Sequence, residues 1–85
     1  MMTEEPEKVT SYDPMVYDSM RELATRLSGR YLALERLAKS DAEKARWRQR
    51  RQALDEEVHG VDVYSEGAVV DKTDDLARRL EILRR

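Results

Sequence analysis

The chain has 85 residues, 40% of them charged, and a formal net charge of −2. It has no Cys and a single His, His59, which excludes disulfides and thiolate-metal sites and argues against an imidazole-built metal site. No apolar run approaches the ~18 residues needed to span a membrane, and a chain this short buries only roughly 60–65% of its unfolded surface, so its own core is small.

The first stretch, "MMTEEPEKVTSYDP", has neither a basic start nor an apolar h-region, so the expected location is cytoplasmic, with no secretory signal. Residues 1–12 are polar, acidic and interrupted by Pro6, and read as a disordered tail. Asp13-Pro14 then starts a helix, because Asp accepts hydrogen bonds from the first free amides and Pro fits the first helical position. Val16, Met20, Leu23, Leu27, Leu34 and Leu37 follow at helical spacing, within about 60° of one line. Met15, Tyr17 and Tyr31 accompany this stripe, which reads as a core or dimer seam. The expected helix covers residues 14–39, with Gly29 its weak point.

Past Leu37 the stripe would run onto Asp41 and Lys44, so the apolar line stops. Ser40 and Glu43 match the S-x-x-E capping box, which favours a turn at residues 39–40 and a second helix at 41–58 over the competing reading, one unbroken helix, since no Gly or Pro enforces a break. Its basic segment, "KARWRQRRQ", surrounds one tryptophan. On a helical wheel Trp47, Leu54 and Val58 lie together, with Arg46 and Arg50 on one border and Lys44, Arg48 and Arg51 on the other. Trp47 therefore belongs to an apolar seam, and the arginines lay their methylenes beside it while their charged ends stay in water.

His59-Gly60 ends this helix, with Gly60 suited to a left-handed cap. "VDVYSEGAVVDK", within the segment 60–72, reads either as a weak β-hairpin or as an irregular loop. Thr73 caps a last helix, 74–85, whose stripe is Leu76, Leu80 and Leu83. At about 12 residues this helix would not persist unpacked.

Charge is segregated along the chain. Residues 1–25 carry six acids and two bases, 26–51 nine bases and three acids, 52–75 eight acids and one base, and the last ten four bases and one acid. Blocks of alternating sign favour folding back or antiparallel pairing over general adhesion to polyanions.

No catalytic constellation is present. The carboxylates of "LDEEV" and "TDD" sit adjacent on helices and do not converge, His59 has no nucleophile context, and the three Gly form no phosphate loop. The expectation is a non-enzyme without cofactor or metal. The fold expected is all-α, a helical hairpin plus a short C-terminal helix, assembling as a dimeric helical bundle. The function expected is a small protein–protein interaction module: a regulator, adaptor or inhibitory partner of antitoxin-like or phage-type size. Its partners would be a second copy of itself and another protein, with no membrane involved. Candidate contacts are Trp47, Arg48, Arg51, Leu80 and Leu83. The alternative is a dimeric nucleic-acid-binding regulator with Arg46, Arg48, Arg50 and Arg51 on phosphates.

Overall fold

In the computed structural model, which describes residues 12–84, Asp13 caps the first helix by accepting the Met15 N–H at 2.9 Å. Helix α1 runs over Pro14–Leu37 and ends where Ala38 turns extended. Ser40 caps α2, Asp41–His59, its hydroxyl accepting the Glu43 N–H at 3.1 Å. Glu43 reaches back to the Lys39 N–H at 3.2 Å, one residue earlier than the capping box predicts. The chain therefore breaks between α1 and α2, and the two form a hairpin.

Helix α3 spans Glu66–Arg84 and starts eight residues before the expected position. Ser65 opens it: its hydroxyl accepts the Ala68 N–H at 3.2 Å and its carbonyl the Val69 N–H at 3.1 Å. Thr73 is not a cap. It lies inside the helix, and its hydroxyl donates to the Val69 carbonyl at 2.7 Å. The proposed β-hairpin is absent, and the described residues contain no strand. The physical reason is spacing. Val69 sits seven residues before Leu76 and extends the Leu76–Leu80–Leu83 stripe by two turns, so "GAVV" gains a buried helical position and the strand reading loses.

Gly60 also departs from expectation, with right-handed backbone angles (φ −83°, ψ −4°) in place of the left-handed cap. The connection at 60–65 is a turn built on Asp62. Its carboxylate accepts the Tyr64 N–H and its carbonyl the Ser65 N–H, both at 3.0 Å. Tyr12, which the sequence places in the tail, belongs to the fold: its hydroxyl donates to the Val63 carbonyl. The rest of the expected tail lies outside the described residues.

Helix α1 is shared by both halves of the molecule. It packs against α2, which runs antiparallel to it, and against α3, which runs parallel, whereas α2 and α3 meet only lightly. Among the described residues seven side chains form the buried core: Met20, Leu27 and Tyr31 from α1, Leu54 and Val58 from α2, and Val69 and Leu76 from α3. Arg30 donates to the Leu83 carbonyl at 3.3 Å, so α3 ends level with the middle of α1. Above that level the bundle has two helices; below it has three.

Candidate functional site

The basic segment turns inward on a single acid. Glu35, on α1, has a side chain only 14% exposed, and its carboxylate takes Arg48 Nη2 at 2.9 Å, Arg48 Nε at 3.1 Å and Arg51 Nη2 at 3.3 Å. Lys44 Nζ donates to the Glu35 carbonyl at 3.4 Å. Hydrogen bonds between ionised partners are stronger than neutral ones, and here they tie α2 to α1. Arg51 Nε is buried without a hydrogen-bond partner.

Trp47 lies half-buried against the core. It stacks on Tyr31 with ring centroids 5.9 Å apart, and the Arg50 guanidinium sits 5.0 Å from its centroid on the indole. Of the basic residues in the segment, Arg46 alone is exposed without an ion pair or aromatic contact among the described residues. Leu80 and Leu83 are half-buried against the core. The five residues expected to contact a partner thus fall into three groups. Trp47 sits against Tyr31, Arg48 and Arg51 close on Glu35, and the two leucines dock α3.

A second charge cluster ties α2 to α3. Glu57 accepts from Arg79 at 2.7 Å and 3.3 Å and from Lys72 at 3.1 Å, and Asp75 accepts from Arg79 at 2.7 Å. The hydrogen bonds from Arg79, and then those from Lys72, hold Glu57 below its ordinary value of 4.5 against the opposing pull of burial. The hydrogen bonds to Glu57, and then to Asp75, raise Arg79 against the opposing pull of burial. Sequence reasoning missed Glu35, and it reads Glu57 only as one of the "LDEEV" acids that pair with Arg or flank a helix end, without naming Arg79. The available signal for Glu35 was its position as the sole acid between Arg26 and Lys39 in a basic stretch.

A shallow groove of about 200 Å³ lies between α1 and α2, with Ala24, Leu54 and Val58 beneath and Arg21, Arg51 and Asp55 at its sides. His59 and Asp55 are 3.7 Å apart at its edge, and both are exposed. Among the described residues no three His, Cys, Asp or Glu side chains are placed to hold a metal ion. No helix there is long and apolar enough to cross a membrane.

Two features remain outward. The first is apolar: Met15 is 64% exposed and Leu37 75% exposed, at opposite ends of α1, and Tyr64 before α3 and Ile82 on it are also exposed. The second is electrical. Residues 26–51, with nine bases and three acids, lie toward the α1–α2 turn, and residues 12–25 and 52–75, with eleven acids and two bases, toward the other end, where Arg79 of α3 joins Glu57 and Asp75. The small net charge conceals a molecule polarised along its length.

No protein-family model, curated protein or solved structure matches the chain.

Proposed function

We propose that this chain is a non-enzymatic protein–protein interaction module, a regulator, adaptor or inhibitory partner that docks through the outer face of α1. The observation that carries the reading is the exposure of Met15 and Leu37 on the longest helix, while α1's opposite face already supplies Met20, Leu27 and Tyr31 to the core. Large apolar side chains left outside at both ends of one helix can anchor a second helix laid along it. Trp47, Arg48 and Arg51 support the module from within by fixing the hairpin against Tyr31 and Glu35.

The test is affinity capture from the source cell with the wild-type chain and with Leu37→Glu and Met15→Glu. The expected result is a defined set of captured proteins that both variants lose while their helix content by circular dichroism is unchanged. Identical capture by wild type and variants overturns the assignment of this face.

Nucleic-acid binding has weaker support. Arg48 and Arg51 are both tied to Glu35 and Arg50 lies on Trp47, which leaves Arg46 as the one of the four without such a contact among the described residues. Several phosphate contacts are needed for useful affinity, and one Arg supplies only one. A gel-shift titration with random duplex at low salt is expected to show no complex; a complex that dissolves steeply with salt would reverse this ranking.

A further inference from the structure

We infer that the outer face of α1 pairs with the same face of a second copy of this chain, antiparallel, about a twofold axis at Arg26. The inference rests on the interaction reading above and names the partner.

The argument begins with the helical wheel. Met15, Ser19, Glu22, Arg26, Arg30, Ala33 and Leu37 lie within an arc of about 80° on α1. All are exposed except Ala33, which is half-exposed, so this arc is the open side of α1, touched by α3 at its edge, where the Arg30 guanidinium reaches the Leu83 carbonyl. Its two large apolar residues stand about 33 Å apart, at its ends.

The order of residues along the arc is complementary to its own reverse. Turned end for end about Arg26, Met15 faces Leu37 of the second copy, Ser19 faces Ala33, and Glu22 faces Arg30. Each pairing is chemically apt. The ends meet as apolar pairs, the small residues let the two backbones approach, and an acid meets a base. Each of the three occurs twice by symmetry, as an isologous interface requires. The one like-charged meeting, Arg26 on Arg26, is compensated within each chain, because Arg26 Nη2 lies 2.8 Å from the Glu22 carboxylate.

The polarisation of the whole molecule selects the same arrangement. Antiparallel pairing sets the basic end of each copy beside the acidic end of the other, whereas parallel pairing would set like against like. Two apolar contacts and two exposed ion pairs supply little affinity, so the dimer is a weak one that salt weakens further.

The experiment is sedimentation equilibrium from about 1 μM to about 1 mM, spanning the affinities a small interface gives. Wild type is expected to pass from monomer to dimer across this range. Glu22→Arg places Arg against Arg, and Arg30→Glu places Glu against Glu, so each variant alone is expected to lose about tenfold or more in affinity. An equimolar mixture of the two is expected to regain dimer as a heterodimer, since every cross-pair then joins Arg to Glu. Loss of fold cannot produce that rescue. The register has its own check in a chain with no native Cys. The double variant Ser19→Cys/Ala33→Cys is expected to form a disulfide-linked dimer under mild oxidation, and Ser19→Cys alone is not. A wild type that stays monomeric at the top of the range, variants with wild-type affinity, a mixture that does not associate, or no cross-link in the double variant each overturn the pairing. A monomeric wild type whose captured proteins still depend on Leu37 overturns self-pairing and leaves the interaction reading standing.

Discussion

Arg79 reaches across from α3 to hold Glu57 of α2 through two hydrogen bonds, at 2.7 and 3.3 Å. Those two helices otherwise meet only lightly, so this pair and its neighbours Lys72 and Asp75 are the main polar tie between them.

The Glu57–Arg79 contact makes stability depend on pH. Because Glu57 titrates below its ordinary value of 4.5, the folded state binds its proton less readily than the unfolded chain does. Its contribution is therefore complete above about pH 5 and is lost as the pH falls below 4.5 and through the depressed folded value. Thermal melts from pH 7 to pH 3 are expected to show this loss, and Glu57→Gln to show a shallower acid slope. Equal slopes would mean that the pair is not formed in solution.

Two leucines on the same helix are expected to behave oppositely. Leu27 is fully buried, and Leu27→Ala removes methyl groups from the centre of a seven-residue core, at a cost of about 2–5 kcal/mol. For a domain this small that is a large part of the total stability. Leu37→Ala alters a residue exposed at the hairpin end and is expected to change stability by no more than about 0.5 kcal/mol. Urea denaturation of both variants, at a concentration well below any self-association, separates the core face from the outer one.

Trp47→Ala removes the stacking on Tyr31 and the Arg50 contact together. Because Trp47 is half-buried, the expected loss is about 2–3 kcal/mol, below a fully buried Trp. Unchanged urea stability would place Trp47 outside the hairpin seam.

Gly29→Ala is expected to stabilise the chain. Gly29 is helical within α1, and a Cβ there would meet nothing within 4 Å. Replacing Gly by Ala inside a helix gains about 1 kcal/mol, which is about 4–8 °C in Tm for a domain of this size. A melt of the monomer checks it.

The hairpin was legible because its signals are local. Asp13-Pro14 and Ser40-x-x-Glu43 cap helices through contacts two to four residues apart, and the Trp47–Leu54–Val58 stripe needs only a wheel. Even the two borders of that stripe were readable: Lys44, Arg48 and Arg51 share the side that meets Glu35. The start of α3 was hidden because Val61 and Val63 alternate like a strand and Thr73-Asp74-Asp75 imitates a cap. Ser65, whose hydroxyl and carbonyl both satisfy amides of the first turn, was the true signal. Leu37 continued the α1 stripe in sequence, yet it is exposed because α3 ends level with Arg30 and does not reach it. Where a helix stops against its neighbour is a tertiary fact, and no local pattern contains it.

The three-residue connection between α1 and α2 has a kinetic consequence. Closing so short a link costs little chain entropy, so the hairpin can form early from near-neighbour contacts. Helix α3 must bring Val69 and Leu76 back to a surface some fifty residues distant along the chain, and it is expected to dock last and to open first. Native-state hydrogen exchange should then find the amides of α3 exchanging through a partial opening that leaves those of Leu27 and Leu54 protected. Equal protection in all three helices would mean that the molecule opens only as a whole.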